Sequence, residues 1–434
     1  MSRDDDYFPQ YGDRGYDVLR YDLRLDYRVE GNRLEGRAEL LAVAREESRV
    51  LALDLHHLRV TKVRADVVRA TKFTVRRGKL LVTLDRALLP GEEVRVTVSY
   101  DGRPRPVGKG EDAMGWEELT DGVLVAGQTN GAPTWFPCND RPDNKSSYRF
   151  EVTVPSAYHV AANGELTSCT RGAGTTTWVY EQPEPMATYL ATLQIGRYVV
   201  RDVPGSPVPL RAVLSEENLA RFDRGFGRQA EMMRFFVDTF GPYPFASYAV
   251  VVTDDPLEIP LEAQTLSVFG SNFLSDEWDS VRLVAHELAH QWFGNSVTLS
   301  AWRDIWLHEG FACYAEWLWS EASGGPTARE HAEQQWRRLE ELPQDLLLGD
   351  PGADAMFDDR VYKRGALLLH ALRATVGDEH FFTTLREWAR RNRHGSVTTE
   401  DFVTLCDEVS GNALGPFFSR WLEELGLPEL PDEC

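Results

Sequence analysis

The stretch His286-Glu287-Leu288-Ala289-His290 constrains this chain more than any other feature. Imidazoles four residues apart share a face only if the backbone is helical, and there both can reach one metal ion. Glu287, between them, sits beside that face and suits a metal-bound water rather than the metal. A hydrolytic zinc site takes three protein ligands and keeps a fourth position for water. The third candidate is Glu309, within Trp306-Leu307-His308-Glu309-Gly310-Phe311-Ala312. The segment Asn295 to Arg303 is long enough for an exposed turn and an antiparallel return, which sets Glu309 across from the histidine pair. Two neutral imidazoles and one carboxylate leave a divalent site at about +1, so its water stays acidic enough to be activated.

Each half of this pattern has a plainer explanation. His286 and His290, flanked by Leu283, Leu288 and Trp292, could be packing residues, and the Trp306 segment could be an ordinary buried helix. Their joint occurrence favours the metal site. Glu316 lies two helical turns beyond Glu309 on the same face, and we expect it to accept a hydrogen bond from a ligand histidine and so fix its tautomer. His308 points elsewhere on the helix and is not counted as a ligand. The tryptophans at 292, 302, 306, 317 and 319 have helical spacing, which favours core packing.

The rest of the chain bounds the reading. A formal net charge of -21 argues against nucleic acid or an anionic membrane as the main partner. No apolar run reaches membrane-spanning length, and Met1 to Asp6 carries no apolar core of a secretory signal. Cys138, Cys169, Cys313, Cys406 and Cys434 are scattered without a CxxC pair. Reduced thiols in a cytoplasmic protein are therefore expected, and any metal must be held by His and carboxylate.

Periodicity divides the chain in two. Leu19, Tyr21, Leu23, Leu25, Tyr27 and Val29 alternate with polar residues, as do Val94 to Tyr100 and Phe150 to Val154. Such strands between Gly, Pro and Asp turns predict an antiparallel β saddle or sandwich over 1–195. A few strand-like pieces, including Tyr248 to Val252, begin a second domain over 196–434. This domain turns helical near Ser275. Asp276 or Asp279 is the expected cap of the first helix, with Gly294 as its stop. Further helices are expected over Trp306 to Glu321, Thr327 to Leu347, Val361 to Val376, Glu379 to Arg391, Thr399 to Val409 and Leu414 to Leu425. The fold class is α+β, with a β domain followed by a mixed, mainly helical one.

With these residues in view, the sequence resembles the M1 family of zinc aminopeptidases. The resemblance rests first on HELAH, eighteen further residues, and Glu309 within WLHEGFA. Trp135 to Pro142, Val361 to Ala366 and Ile259 to Gln264 match three further family segments, and agreement runs from about residue 15 to 375. The resemblance implies a thermolysin-like catalytic domain, one Zn2+ per chain and peptide substrates with a free N-terminus. It assigns Glu287 as general base toward a zinc-bound water attacking the first peptide bond, and Tyr362 as donor to the oxyanion. It assigns Glu262 to the substrate's α-amino group, and Gln128 to lining the first side-chain pocket and amine site. The family's Gly-x-Met-Glu-Asn motif is reduced here to its glutamate, with Leu261 for Met and Ala263 for Asn. The chain also stops soon after its catalytic domain, so a short form with a more open site is expected. An epoxide hydrolase on the same zinc site, and a non-catalytic scaffold, are the competing readings.

Overall fold

The computed structural model describes residues 7–108 and 113–431; the Met1 to Asp6 stretch and Cys434 lie outside them. Alternating strands build the first part. A seven-stranded sheet runs in the order Glu165–Arg171, Thr175–Met186, Ser146–Pro155, Tyr16–Arg28, Arg33–Ala44, Glu93–Gly102, Arg59–Ala65. Its pairs are antiparallel except that Tyr16–Arg28 runs parallel to Ser146–Pro155. Tyr21, Leu23, Leu25 and Tyr27 point into the core, as their period-2 spacing requires. Leu19 does not. The register shifts between Val18 and Arg20, and this bulge buries Val18 while leaving Leu19 42% exposed.

A four-stranded sheet, His159–Ala162, Leu193–Gly196, Gly122–Ala126 and Gly115–Leu119, carries the chain towards the second part. The next sheet has five strands in the order Val199–Asp202, Leu210–Leu214, Tyr248–Thr253, Leu266–Gly270, Leu261–Ala263. Leu261–Ala263 is an edge strand. It pairs only with Leu266–Gly270, and it presents Glu262.

Eight helices follow among the described residues: α1 (Phe222–Phe226), α2 (Gln229–Phe240), α3 (Trp278–Ala289), α4 (Trp306–Ala322), α5 (Ala328–Glu340), α6 (Asp359–Arg391), α7 (Thr399–Ser410) and α8 (Gly415–Leu422). Helix α2 precedes the expected helical turn-over near Ser275. Its Met232, Met233, Phe236 and Phe240 recur at helical spacing and are buried, so packing overrides the strand preference of its Phe-Phe-Val run. The cap of α3 is Glu277, without a side-chain hydrogen bond, and not Asp276 or Asp279. Helix α5 ends at Glu340, seven residues before the expected Leu347, where Pro343 forbids its continuation. Its start is a capping box between Thr327 and Glu330. Gly377 interrupts α6 with φ 78°, between the two helices expected there.

Helix α4 is the hub. It packs on α3, α5 and α6 and is buried on every side from Trp306 to Ser320. The tryptophans at 292, 302, 306, 317 and 319 are all at most 2% exposed. Gly310 of α4 meets Gly365 of α6; a Cβ on Gly310 would lie 2.8 Å from the Gly365 Cα. Only two glycines allow helices this close, and the contact draws the first turns of α6 toward the face of α4 that carries Glu309.

Candidate active site

Helix α3 delivers His286 and Glu287, and His290 caps it in helical conformation. The chain then turns at Gly294, whose φ of 127° favours glycine and where a Cβ would crowd the His290 ring at 3.2 Å. It passes through Thr298–Leu299 and enters α4, with Glu309 in the first turn. His286 Nε2 lies 3.3 Å and His290 Nε2 3.4 Å from the same Glu309 oxygen, Oε2. One ligand atom from each of the three lies within 4.8 Å of the others. All three residues are buried.

The other ring nitrogens decide what the convergent atoms can do. His286 Nδ1 lies 2.8 Å from Glu316 Oε1, and His290 Nδ1 lies 3.0 Å from the Phe293 carbonyl. Each partner accepts, so each Nδ1 carries a proton, and both Nε2 atoms, once deprotonated, would offer lone pairs to one point. Two imidazole nitrogens and a carboxylate oxygen form a donor set suited to a divalent ion of the zinc type. Glu287 Oε2 is buried beside them with no hydrogen-bond partner among the described residues, aligned for a group the chain itself does not supply.

The buried ionisable groups of the site act strongly on one another. Burial alone would lower both histidines, yet Glu309 and Glu316 raise His286 to about 9, and Glu309 and Glu262 raise His290 to about 9. Burial alone would raise Glu309, yet His290 and His286 hold it far below the usual carboxylate range. Burial pushes Glu287 well up, against the pull of His290, and Glu262, Glu309 and Glu316 push it further.

Glu262 is half-buried, and burial raises its carboxyl, opposed by His290. Its strand is tied to the metal site by residues just beyond the second histidine. Gln291 donates to the Ala263 carbonyl at 3.0 Å and accepts from the Thr265 amide at 2.9 Å, and Asn295 donates to the same Ala263 carbonyl at 3.0 Å. Sequence reasoning missed both residues, although they stand one and five positions after His290. The Tyr362 ring is 5.9 Å from that of His286 at 20°. Burial, and then Glu309, Glu262 and Glu287, push its phenol well up, so it keeps its proton and can donate. Tyr189, also missed, donates weakly to the Gly294 carbonyl at 3.4 Å, and burial followed by Glu262 and Glu309 raises its phenol. No local motif marks it. Gln128 is half-buried with its Nε2 unpartnered among the described residues. His308 accepts from the Leu299 amide at 2.8 Å, and burial lowers it to about 3.

Around Glu316 stands a set of cations. Arg282 Nη1 lies 3.3 Å from Glu316 Oε2, and Lys363 donates to Cys313 Sγ at 3.3 Å. Burial would raise Glu316, but Lys363, His286 and Arg282 bring it to about 2. Arg282 was legible in principle, since it stands one turn before His286 on the same helix face.

Comparison with known proteins accords with this geometry. The Peptidase family M1 domain matches residues 225–421, and the Peptidase M1 N-terminal domain matches residues 18–190. The chain belongs to peptidase family M1. It is similar to the crystal structure of an M1 zinc metallopeptidase from Deinococcus radiodurans, with a TM-score of 0.91, 33% identity and 99% of each chain covered. A mutant of an M1 zinc metallopeptidase from Deinococcus radiodurans, bound to a Tyr-Ser-Ala substrate, matches equally well, with TM-score 0.91, 33% identity and 99% of each chain. Among curated proteins, Aminopeptidase M1-C of Oryza sativa subsp. japonica is 26% identical over 453 residues, covering 94% of this chain and 50% of the relative. The chain thus spans about half the length of the curated relatives it matches. As a family M1 zinc metallopeptidase it takes zinc as cofactor, and His286, His290 and Glu309 are the set that could hold it. Among the described residues no helix is long and apolar enough to cross a membrane.

Proposed function

We propose that this chain is a zinc-dependent aminopeptidase that removes N-terminal residues from peptides, working in the cytoplasm through a β domain over 1–195 and a catalytic domain over 196–434. The observation that carries the reading is the convergence of His286 Nε2, His290 Nε2 and Glu309 Oε2 beside the raised, half-buried carboxyl of Glu262. A metal centre alone fits many hydrolases. A carboxylate next to it, with no lysine or arginine ion pair among the described residues, fits a substrate that brings a terminal ammonium.

When bound, zinc supplies Lewis acidity toward the scissile carbonyl and lowers the pKa of a coordinated water. The chain's own groups do the rest. Glu287 takes a proton from the attacking water and returns it to the leaving nitrogen, a role suited to a buried carboxyl whose proton affinity is raised. Tyr362 donates its phenolic hydrogen to the developing oxyanion. Glu262 and Gln128 hold the α-ammonium, which sets the cut one residue from the end. Among the described residues the edge strand Leu261–Ala263 pairs with Leu266–Gly270 alone, so its other edge is where an extended peptide would lie. The peptide- and amino-acid-bound relatives in the family support this substrate class. The four described cysteines are unpaired, which supports a reducing compartment.

The test is a panel of aminoacyl fluorogenic peptides, each with a free and an acetylated N-terminus. Free peptides should be cleaved and acetylated ones left intact. Equal cleavage of both would make the protein an endopeptidase and remove Glu262 from its role.

A further inference from the structure

Behind His286, on the side of its Nδ1 and Glu316, lies a half-open cavity of about 620 Å³ lined by residues of α3, α4, α5 and α6. This size suits a small organic ligand rather than a single ion. Its charges are layered. At the floor are Lys363, 7% exposed, and Glu316, 2% exposed. At the rim stand Asp279 and Asp359, whose side chains are 94% and 50% exposed.

Glu316 and Asp359 act on the Lys363 ammonium through space, but neither reaches it directly. Glu316 is engaged by His286 at 2.8 Å and by Arg282 at 3.3 Å. The Lys363 ammonium donates at 3.3 Å to Cys313, a thiol that burial pushes up to about 12 and so keeps uncharged. Among the described residues Lys363 forms no ion pair within 4.0 Å. A buried ammonium whose one direct acceptor among the described residues is a thiol has donors left open, and a carboxylate reaching the floor would take them. One wall is aromatic. His331 stacks with both Trp278, at 5.7 Å, and Trp317, at 6.1 Å, and all three line the cavity.

We propose that this cavity binds a free zwitterionic amino acid, carboxylate inward on Lys363 and Arg282, ammonium outward at Asp279, and an apolar side chain along Trp278 and Trp317. Each rim carboxylate is shared with an arginine, Asp279 with Arg282 at 3.7 Å and Asp359 with Arg338 at 2.9 Å, so the ligand ammonium competes there while its carboxylate takes the open Lys363 donors; a cation alone would meet Lys363. Under the aminopeptidase reading, on which this identification as product rests, the ligand is what the reaction releases. Occupancy would reach the catalytic centre through two contacts, because a carboxylate that draws Arg282 from Glu316 loosens the acceptor that orients His286.

The experiment uses the zinc-loaded full chain with L-phenylalanine as probe, read by calorimetry and by inhibition kinetics. Calorimetry should find a second bound molecule beyond the one taken by the catalytic cleft, and Lys363→Met should abolish that second event. N-acetyl-L-phenylalanine and L-phenylalaninamide, each lacking one charge, should bind the cavity at least about tenfold more weakly. In kinetics, L-phenylalanine should lower kcat as well as raise KM in the wild type, and only raise KM in Lys363→Met. Should Lys363→Met not fold, the exposed-rim variant Asp279→Asn decides: about tenfold weaker second-site binding supports the proposal, and unchanged binding overturns it. Single-site binding with purely competitive inhibition in the wild type also overturns it. A second calorimetric site in a protein without peptidase activity would sink the aminopeptidase reading and leave the cavity site standing.

Discussion

The two sides of the catalytic centre are built differently. On the metal side every orienting atom is already satisfied by the chain: Glu316 and the Phe293 carbonyl hold the imidazoles, and Glu309 lies against both Nε2 atoms. On the substrate side the polar groups are held in place but not satisfied. Gln291 and Asn295 anchor the Ala263 carbonyl beside Glu262, while Glu262 keeps a raised carboxyl and Gln128 Nε2 has no partner among the described residues. The metal side is pre-organised for an ion of fixed size. On the proposed reading, the substrate side is pre-organised for a charge that arrives and leaves. The contrast teaches that one wall of a site can be rigid through pairing and the other through its scaffold alone.

The largest expected effect falls where the two sides meet. Glu287→Ala should lower kcat by about 10³-fold or more while zinc content, measured by metal analysis, stays unchanged. Loss of zinc with it would mean that Glu287 belongs to the metal side. Glu262→Gln should cut kcat/KM by about 10²-fold on peptides with a free N-terminus, because a charge-assisted contact to the ammonium is lost. Unchanged kinetics there would break the comparison on its substrate side.

Zinc affinity itself should climb with pH. Both histidines are raised to about 9 in the metal-free protein, so below that pH zinc must displace their protons. Chelator competition should show affinity rising by up to about a hundredfold per pH unit below 9 and levelling above it, as expected for two displaced protons. A flat profile would mean that the imidazoles are neutral before metal arrives. Glu316→Gln should weaken zinc by about 10- to 100-fold, with little change in the KM of the zinc-saturated enzyme. The smallest change is in stability. Gly310→Ala should cost about 1–3 kcal/mol in chemical denaturation, because the new methyl meets the Gly365 backbone.

How much of this was legible depends on distance along the chain. The imidazole pair was readable because a helix makes residues four apart neighbours, and Glu316 because it lies two turns from Glu309. Strand alternation was readable wherever the ladder is regular, and it failed at Leu19, where a bulge inverts the pleat. Helix α2 was hidden by aromatic and β-branched residues that also suit strands. The roles suggested for Tyr362, Glu262 and Gln128 came from a family resemblance, since nothing local distinguishes a tyrosine near the start of a helix or a glutamate in a short strand.

By itself, the sequence determined the metal chemistry and the order of a β-rich part before a helical one, since both depend on short-range periodicity and residue type. Only the tertiary structure decided which atoms meet across long separations: Gly310 against Gly365, Gln291 on the Ala263 carbonyl, and Lys363 left with a thiol at the floor of a cavity. Those contacts arise from how whole helices and an edge strand pack, and packing balances burial, shape and charge over many residues at once. No local pattern encodes that balance.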